Sequence, residues 1–147
     1  MNESLVEEKL ALIELANKLF MFTDAQQWPK LQLEVFAEQV YFDMSSASGE
    51  ASQTLAAKEI CEMWQKGFSG LDAIHHQAGH YLVTVNAREA DIYAYAVATH
   101  YKKNAAKGNT RTFVGSYDLK AIRTITGWRI SQFKYNLKYI DGNLSLE

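Results

Sequence analysis

Cysteine is nearly absent from this chain. Of 147 residues only Cys61 carries a thiol, so no intrachain disulfide can form and nothing calls for an oxidising compartment. Cys61 stands among Ile60, Met63 and Trp64 at positions that read as a buried helix face, where a free thiol behaves as a small hydrophobe. Long apolar runs are missing as well. Nowhere do about 18 apolar residues stand together, and the start, Met1-Asn2-Glu3-Ser4-Leu5-Val6-Glu7-Glu8-Lys9, is acidic rather than a basic segment leading into an apolar one. A soluble, cytoplasmic protein is expected. An excess of either charge is also lacking: 15 basic residues against 17 acidic ones leave a net charge of −2. That balance supplies no summed field for phosphate backbones or anionic lipids, so neither nucleic acid nor membrane is expected as a partner. What the chain does have is 48% hydrophobic residues, enough for residues 1–147 to form one domain with its own core.

The first half has helical rhythm. Ser4 and Glu7 have capping-box spacing, and Leu5, Leu12, Leu15, Leu19 and Phe22 recur on one face, predicting a helix over 5–22. The run Thr23-Asp24-Ala25-Gln26-Gln27 breaks it, and Pro29 fits the first turn of a short helix reaching residue 36. A short strand is predicted over 40–44, then a serine-rich loop over 45–54. Thr54 is placed to cap a third helix with Ile60, Trp64 and Phe68 on one stripe, ended by Gly70. From Ala73 onward, β-branched and aromatic residues run in long segments interrupted near 86–89, near 104–109 and at Thr126-Gly127. Four hairpin-linked strands follow. Helices first and a meander afterwards imply an α+β domain with helices on one face of an antiparallel sheet.

Strand alternation assigns faces. Ile74, His76, Ala78, His80 and Leu82 share one side of the first long strand, with His75, Gln77, Gly79, Tyr81 and Val83 on the other. On the next strand Ile92, Ala94, Ala96, Ala98 and His100 share a side opposite Tyr93, Tyr95, Val97, Thr99 and Tyr101. A loop centred on Arg88 places His76 directly across from His100, with Cβ atoms roughly 4.5–5.5 Å apart. The alanine face leaves room either for closely packed helices or for a ligand. The face bearing Tyr81, Tyr93, Tyr95 and Tyr101 suits a homodimer interface.

Four histidines raise the question of a metal, and spacing argues against one. His75 and His76 point to opposite faces, and His76 and His80 stand about 13 Å apart along a strand, beyond the reach of one ion. No HExxH, paired CxxC, GxSxG elbow or phosphate-binding glycine loop is present, so neither metal nor cofactor is expected. General acid/base chemistry is left, for which imidazole is suited. Asp24 is the leading carboxylate partner, Asp43 the second and Asp118 the third. Each has a structural alternative: Asp24 in a turn between helices, Asp118 in a cross-strand pair with Lys134.

In order and spacing, Phe22-Thr23-Asp24-Ala25-Gln26-Gln27-Trp28, the stretch from Val35-Phe36-Ala37-Glu38 to Phe42-Asp43, His75-His76, and Gly127-Trp128-Arg129-Ile130 resemble the SnoaL-like branch of the nuclear transport factor 2-like superfamily. The resemblance covers almost the whole chain. It implies a cone-shaped α+β fold in which N-terminal helices pack on a curved antiparallel sheet around a pocket for a small, partly apolar organic ligand. Within the superfamily the pattern is most similar to the scytalone dehydratase type. Asp24, His76 and His100 match its aspartate and two histidines, implying a base and an acid for elimination of water with the aspartate orienting one of them. Asp118 matches a substrate-contacting position, and Asp43, Met44 and Trp64 are further candidates for substrate binding. Two tyrosines of the dehydratase fall at Thr23 and Met44 here. The resemblance to ketosteroid isomerase is weaker, because Leu19 replaces its helix-one tyrosine and only Asp43 lies near its Asp base. SnoaL-like cyclases are a further relative. Two functions therefore stand side by side: a cofactor-independent lyase or isomerase, and a non-catalytic ligand-binding or dimerising accessory protein.

Overall fold

The computed structural model describes residues 4–147. Helix α1 (Leu5–Asp24) begins where Ser4 accepts a hydrogen bond from the Glu7 amide, at 3.1 Å. It runs two residues past the expected end. Thr23 is tolerated in its buried last turn because its hydroxyl donates to the Leu19 carbonyl at 2.7 Å. Pro29 opens the short α2 (Trp28–Lys30), which continues through a π-helical turn, Leu31–Val35, into strand β1 (Phe36–Asp43).

The expected loop over 45–54 holds a one-turn helix, α3 (Ser45–Ser48), and the start of strand β2 (Gln53–Ala56). Thr54 is therefore in a strand, paired with Tyr41, and does not cap the next helix. Helix α4 (Ala57–Phe68) instead has Ala56 as its N-cap, whose amide donates to the Glu59 carboxylate at 3.2 Å. The long strands follow: β3 (Ala73–Asn86), β4 (Glu89–Tyr101), β5 (Thr110–Thr124) and β6 (Gly127–Gly142).

The six strands form one sheet in the order β2-β1-β6-β5-β4-β3. The meander is antiparallel as expected, but β1 pairs parallel with β6, so the sheet is mixed. No tight turn joins these two strands, which stand at opposite ends of the chain, and nothing local imposes the antiparallel direction. Irregular registers in three strand pairs bend the sheet around α1 and α4. The core lies on its inner face, where Leu12, Leu19, Leu31, Ile60, Ile92, Leu119 and Ile130 are almost wholly buried. Cys61 is buried there too, and desolvation pushes its thiol up to about 11. No helix among the described residues is long and apolar enough to cross a membrane.

The β3–β4 hairpin departs from the expected register. Its turn has two residues, Ala87 and Arg88, since Asn86 pairs with Glu89. Left uncorrected, that one-residue change would turn His76 away from His100. A bulge adds a second one-residue shift and so restores the shared face: between the pairs Leu82↔Tyr93 and Gly79↔Tyr95, His80 and Tyr81 together face Ala94, and His80 takes a φ of 57°. His76 consequently lies opposite Ala98, and Ile74 opposite His100. The two histidines share the inner face as diagonal neighbours, not as a direct pair. The bulge also sends His80 and Leu82 outward and Tyr81 inward, where its hydroxyl donates to the Asn17 side chain at 2.5 Å.

Candidate active site

The end of α1, the edge of α4 and the inner face of the sheet line a half-open cavity of about 150 Å³. Its lining is mostly apolar and aromatic: Leu19, Phe20, Met44, Trp64, Phe68, Ala98, Phe113 and Phe133, with Thr23, His76, His100, Tyr117 and Tyr135 as the residues that carry polar groups. Most of the alanine face serves close helix packing, since of the β4 alanines only Ala98 reaches the cavity.

Asp24 holds His76 twice. One carboxylate oxygen lies 2.5 Å from the His76 Nδ1, and the other accepts the His76 backbone amide at 3.0 Å. The two additional residues of α1 make this possible by carrying Asp24 to the edge strand β3. The His76 side chain is 11% exposed and that of Asp24 is 25% exposed, so the pair is largely shielded from water. The Phe20 ring lies 5.4 Å from the imidazole, centroid to centroid. With Nδ1–H donated to the carboxylate, neutral His76 keeps its Nε2 lone pair for another partner.

His100 is built the opposite way. Its neighbour across the β4–β5 register is Arg111, whose Nε–H donates to His100 Nδ1 at 3.0 Å. The Arg111 guanidinium is itself tied to the Leu144 carbonyl at 3.0 Å. An imidazole that accepts at Nδ1 carries its proton at Nε2. Burial first, then the Arg111 and His76 charges, hold the His100 pKa down at about 4, with Asp24 acting weakly in the other direction. The ring is packed by Phe68 and Phe113, each with its centroid 5.2 Å away. Near neutral pH, His100 is therefore an uncharged N–H donor.

Two phenols complete the polar set. Burial, reinforced by Tyr135 and Asp24, raises the Tyr117 pKa far above its ordinary value, and burial pushes Tyr135 up to about 12. Both stay neutral. Among the described residues, no cluster of three or more histidine, cysteine or carboxylate side chains has a geometry that could hold a metal ion.

Of the residues expected at the site, Asp24, His76 and His100 converge, and Met44 and Trp64 line the cavity. Asp43 and Asp118 do not. Asp43 caps the turn into α3, accepting from the Ser45 amide at 2.9 Å and its hydroxyl at 2.6 Å, which lowers the carboxyl pKa. Asp118 faces outward opposite Lys134 and accepts from Asn136 at 2.9 Å, in keeping with its structural alternative. Arg111, Tyr117 and Tyr135 escaped the sequence reading. Arg111 follows a long loop whose register cannot be counted from either end, whereas Tyr117 shares its strand parity with Phe113 and could have been placed on the inner face.

A sequence model described as a SnoaL-like domain matches residues 4–134. No curated protein matches the sequence. Among solved structures, the Kfla4162 protein from Kribbella flavida is similar at 26% identity and a TM-score of 0.92, over 97% of this chain and 98% of that one. A proposed scytalone dehydratase from Novosphingobium aromaticivorans is similar in fold at 12% identity and a TM-score of 0.80, covering 94% and 89% of the two chains. The type-3 hexachlorocyclohexane dehydrochlorinase from Novosphingobium barchaimii is similar at 11% identity and a TM-score of 0.76, covering 92% and 90%. At such identities the last two likenesses show the fold alone.

Proposed function

The chain belongs to the SnoaL-like domain family of the nuclear transport factor 2-like fold, and from that premise we propose that it is a lyase eliminating water or a halide from a small ring. The observation that carries the reading is the division of labour between two imidazoles in one cavity: His76 backed by Asp24, His100 backed by Arg111. In the dehydratase form, His76 Nε2 takes a proton from the carbon beside a carbonyl. The electron pair moves into an enolate whose oxygen accepts the Nε2–H of His100. The C–O bond one carbon further on then breaks, the enolate electrons form the double bond, and His76 returns its proton to the departing hydroxyl, which leaves as water. Every atom is accounted for and both histidines end as they began. The short bond to Asp24 stabilises the transient His76 imidazolium, and a neutral imidazole can polarise a carbonyl as His100 does here. His100 thus serves as an electrophile, not the acid that the family resemblance implied.

The experiment is turnover of β-hydroxycyclohexanones and chlorinated cyclohexanes without added cofactor. His76→Ala is expected to cost about 100-fold to 10,000-fold, and His100→Ala about 100-fold to 1,000-fold. Asp24→Asn should cost less than His76→Ala, with circular dichroism confirming that each variant folds. Wild-type turnover by the doubly substituted protein ends the acid/base assignment. Tight binding of a panel member with no turnover moves the protein to the ligand-binding, accessory reading. The proposal includes assembly as a homodimer through the outer face of the sheet, where Leu82, Tyr93, Val97, Tyr101 and Tyr139 are exposed.

A further inference from the structure

Arg111 reaches His100 from the neighbouring strand on a long side chain with much rotamer freedom, so its Nε–H stays on the imidazole only if the rest of the guanidinium is held. Two contacts hold it. Nη1 donates to the Leu144 carbonyl at 3.0 Å, and the guanidinium lies over the Phe113 ring, 5.9 Å from its centroid. The polar anchor thus comes from the segment that follows β6, and a carbonyl fixes the guanidinium without cancelling its charge.

That segment is tied down beside Arg111. Gly142 at the end of β6 has a φ of 93°, and a Cβ there would lie 2.5 Å from the Thr110 carbonyl oxygen and 3.2 Å from the Arg111 Cα. The chain therefore turns hard against the backbone of Arg111. The Asn143 amide donates to the same Thr110 carbonyl at 2.9 Å, and the Lys107 amide donates to the Glu147 main-chain oxygen at 3.0 Å. The Asn143 side chain donates to the Gly108 carbonyl and to the Glu147 main-chain oxygen, each at 3.0 Å. Leu144 supplies little packing, being 58% exposed, whereas Leu146 is 2% exposed at a φ of 54°. Left-handed backbone costs a leucine free energy, which the burial of its side chain offsets.

Resting on the proposed lyase reading for what His100 does, we infer that Leu146 is a positioning residue: its burial locks residues 143–147 so that the Leu144 carbonyl holds Arg111 on His100 Nδ1 and leaves Nε2–H as the donor for the substrate. Leu146 does not line the cavity, so it acts only through Leu144 and Arg111.

The test is nitrogen-15 NMR of the protein at pH 7, which needs no substrate, so this inference and the lyase reading can fail separately. In the wild type the Arg111 Nε–H is expected to exchange slowly with water and to show a scalar coupling to His100 Nδ1 across the hydrogen bond. Leu146→Ser should lose the coupling and speed the exchange about tenfold, as removing the restraint of one hydrogen bond would. Leu146→Met conserves volume and should keep both signals. The His76 resonances, set by Asp24, should stay in place in both variants. If circular dichroism shows Leu146→Ser to be unfolded, Asn143→Ala carries the test: it removes two bonds of the segment while keeping Leu146, and should speed the exchange about threefold. Exchange as slow as in the wild type, in whichever of these two variants carries the test, overturns the inference. So do His76 resonances that move together with those of His100, because Leu146 would then support the whole fold and not this contact.

Discussion

An imidazole that accepts a hydrogen bond from a half-buried guanidinium, as His100 does from Arg111, cannot take a proton at that nitrogen without setting two donors against each other. For His100 the consequence is readable in stability. Its unfolded pKa is near 6.5 and its folded value about 4, so above pH 6.5 it is neutral in both states and its contribution is fully present. As pH falls from about 6.5 to about 4, the unfolded chain binds a proton that the folded protein refuses, and stability is lost. The loss is on the order of 3 kcal/mol across that window, because lowering a pKa by one corresponds to about 1.4 kcal/mol. His100→Asn keeps an acceptor for Arg111 and removes the titration. Urea unfolding from pH 8 to pH 4 should therefore show a shallower decline for this variant than for the wild type. Parallel curves would mean that His100 titrates normally. The same group stays uncharged through the neutral range, so it should not produce the acid limb of an activity profile.

At the scale of elements, the site depends on irregularities in otherwise regular strands. Gly115 lies where the β5–β6 register shifts, and a methyl group there would press on the Asn136 backbone as well as on Tyr135. Gly115→Ala is expected to destabilise the fold by about 1–3 kcal/mol, read from the midpoint of chemical unfolding, because a backbone oxygen cannot swing aside as a flexible side chain can. An unchanged midpoint would mean that β6 shifts freely.

Such features also mark how far the sequence could be read. Helix α1 and the four long strands were legible, since periodicity over many residues averages out local exceptions. Asp24 and the shared face of His76 and His100 were legible too. The register joining the histidines was not: a two-residue turn and the His80 bulge each shift it by one residue in the same direction, and neither length can be counted from the sequence. Tyr81 turned inward for the same reason. Strand β2 was hidden because four residues carry too little alternation to stand out from a serine-rich loop.

At the scale of the whole molecule, the two faces of the sheet have separate tasks. The inner face carries helices and cavity, while outside, Val97, Val114 and Tyr139 stand in one row across β4, β5 and β6, with Leu82 beside Tyr93 near the β3–β4 turn. Leu82 is 71% exposed and Val97 37%, and large apolar side chains gathered on one surface are a liability in water unless covered. A second copy of the same face is self-complementary under two-fold symmetry, and a stable dimer needs about 800 Å² from each partner, within the reach of four broad strands. Sedimentation at micromolar concentration is accordingly expected to give a dimer. Val97→Glu would set two carboxylates into the apolar row and should yield a folded monomer. Because Val97 does not line the cavity, the Asp24–His76 and His100–Arg111 pairs should be intact in that monomer. A wild type that sediments as a monomer, or a Val97→Glu variant that remains dimeric, would place the interface elsewhere or remove it.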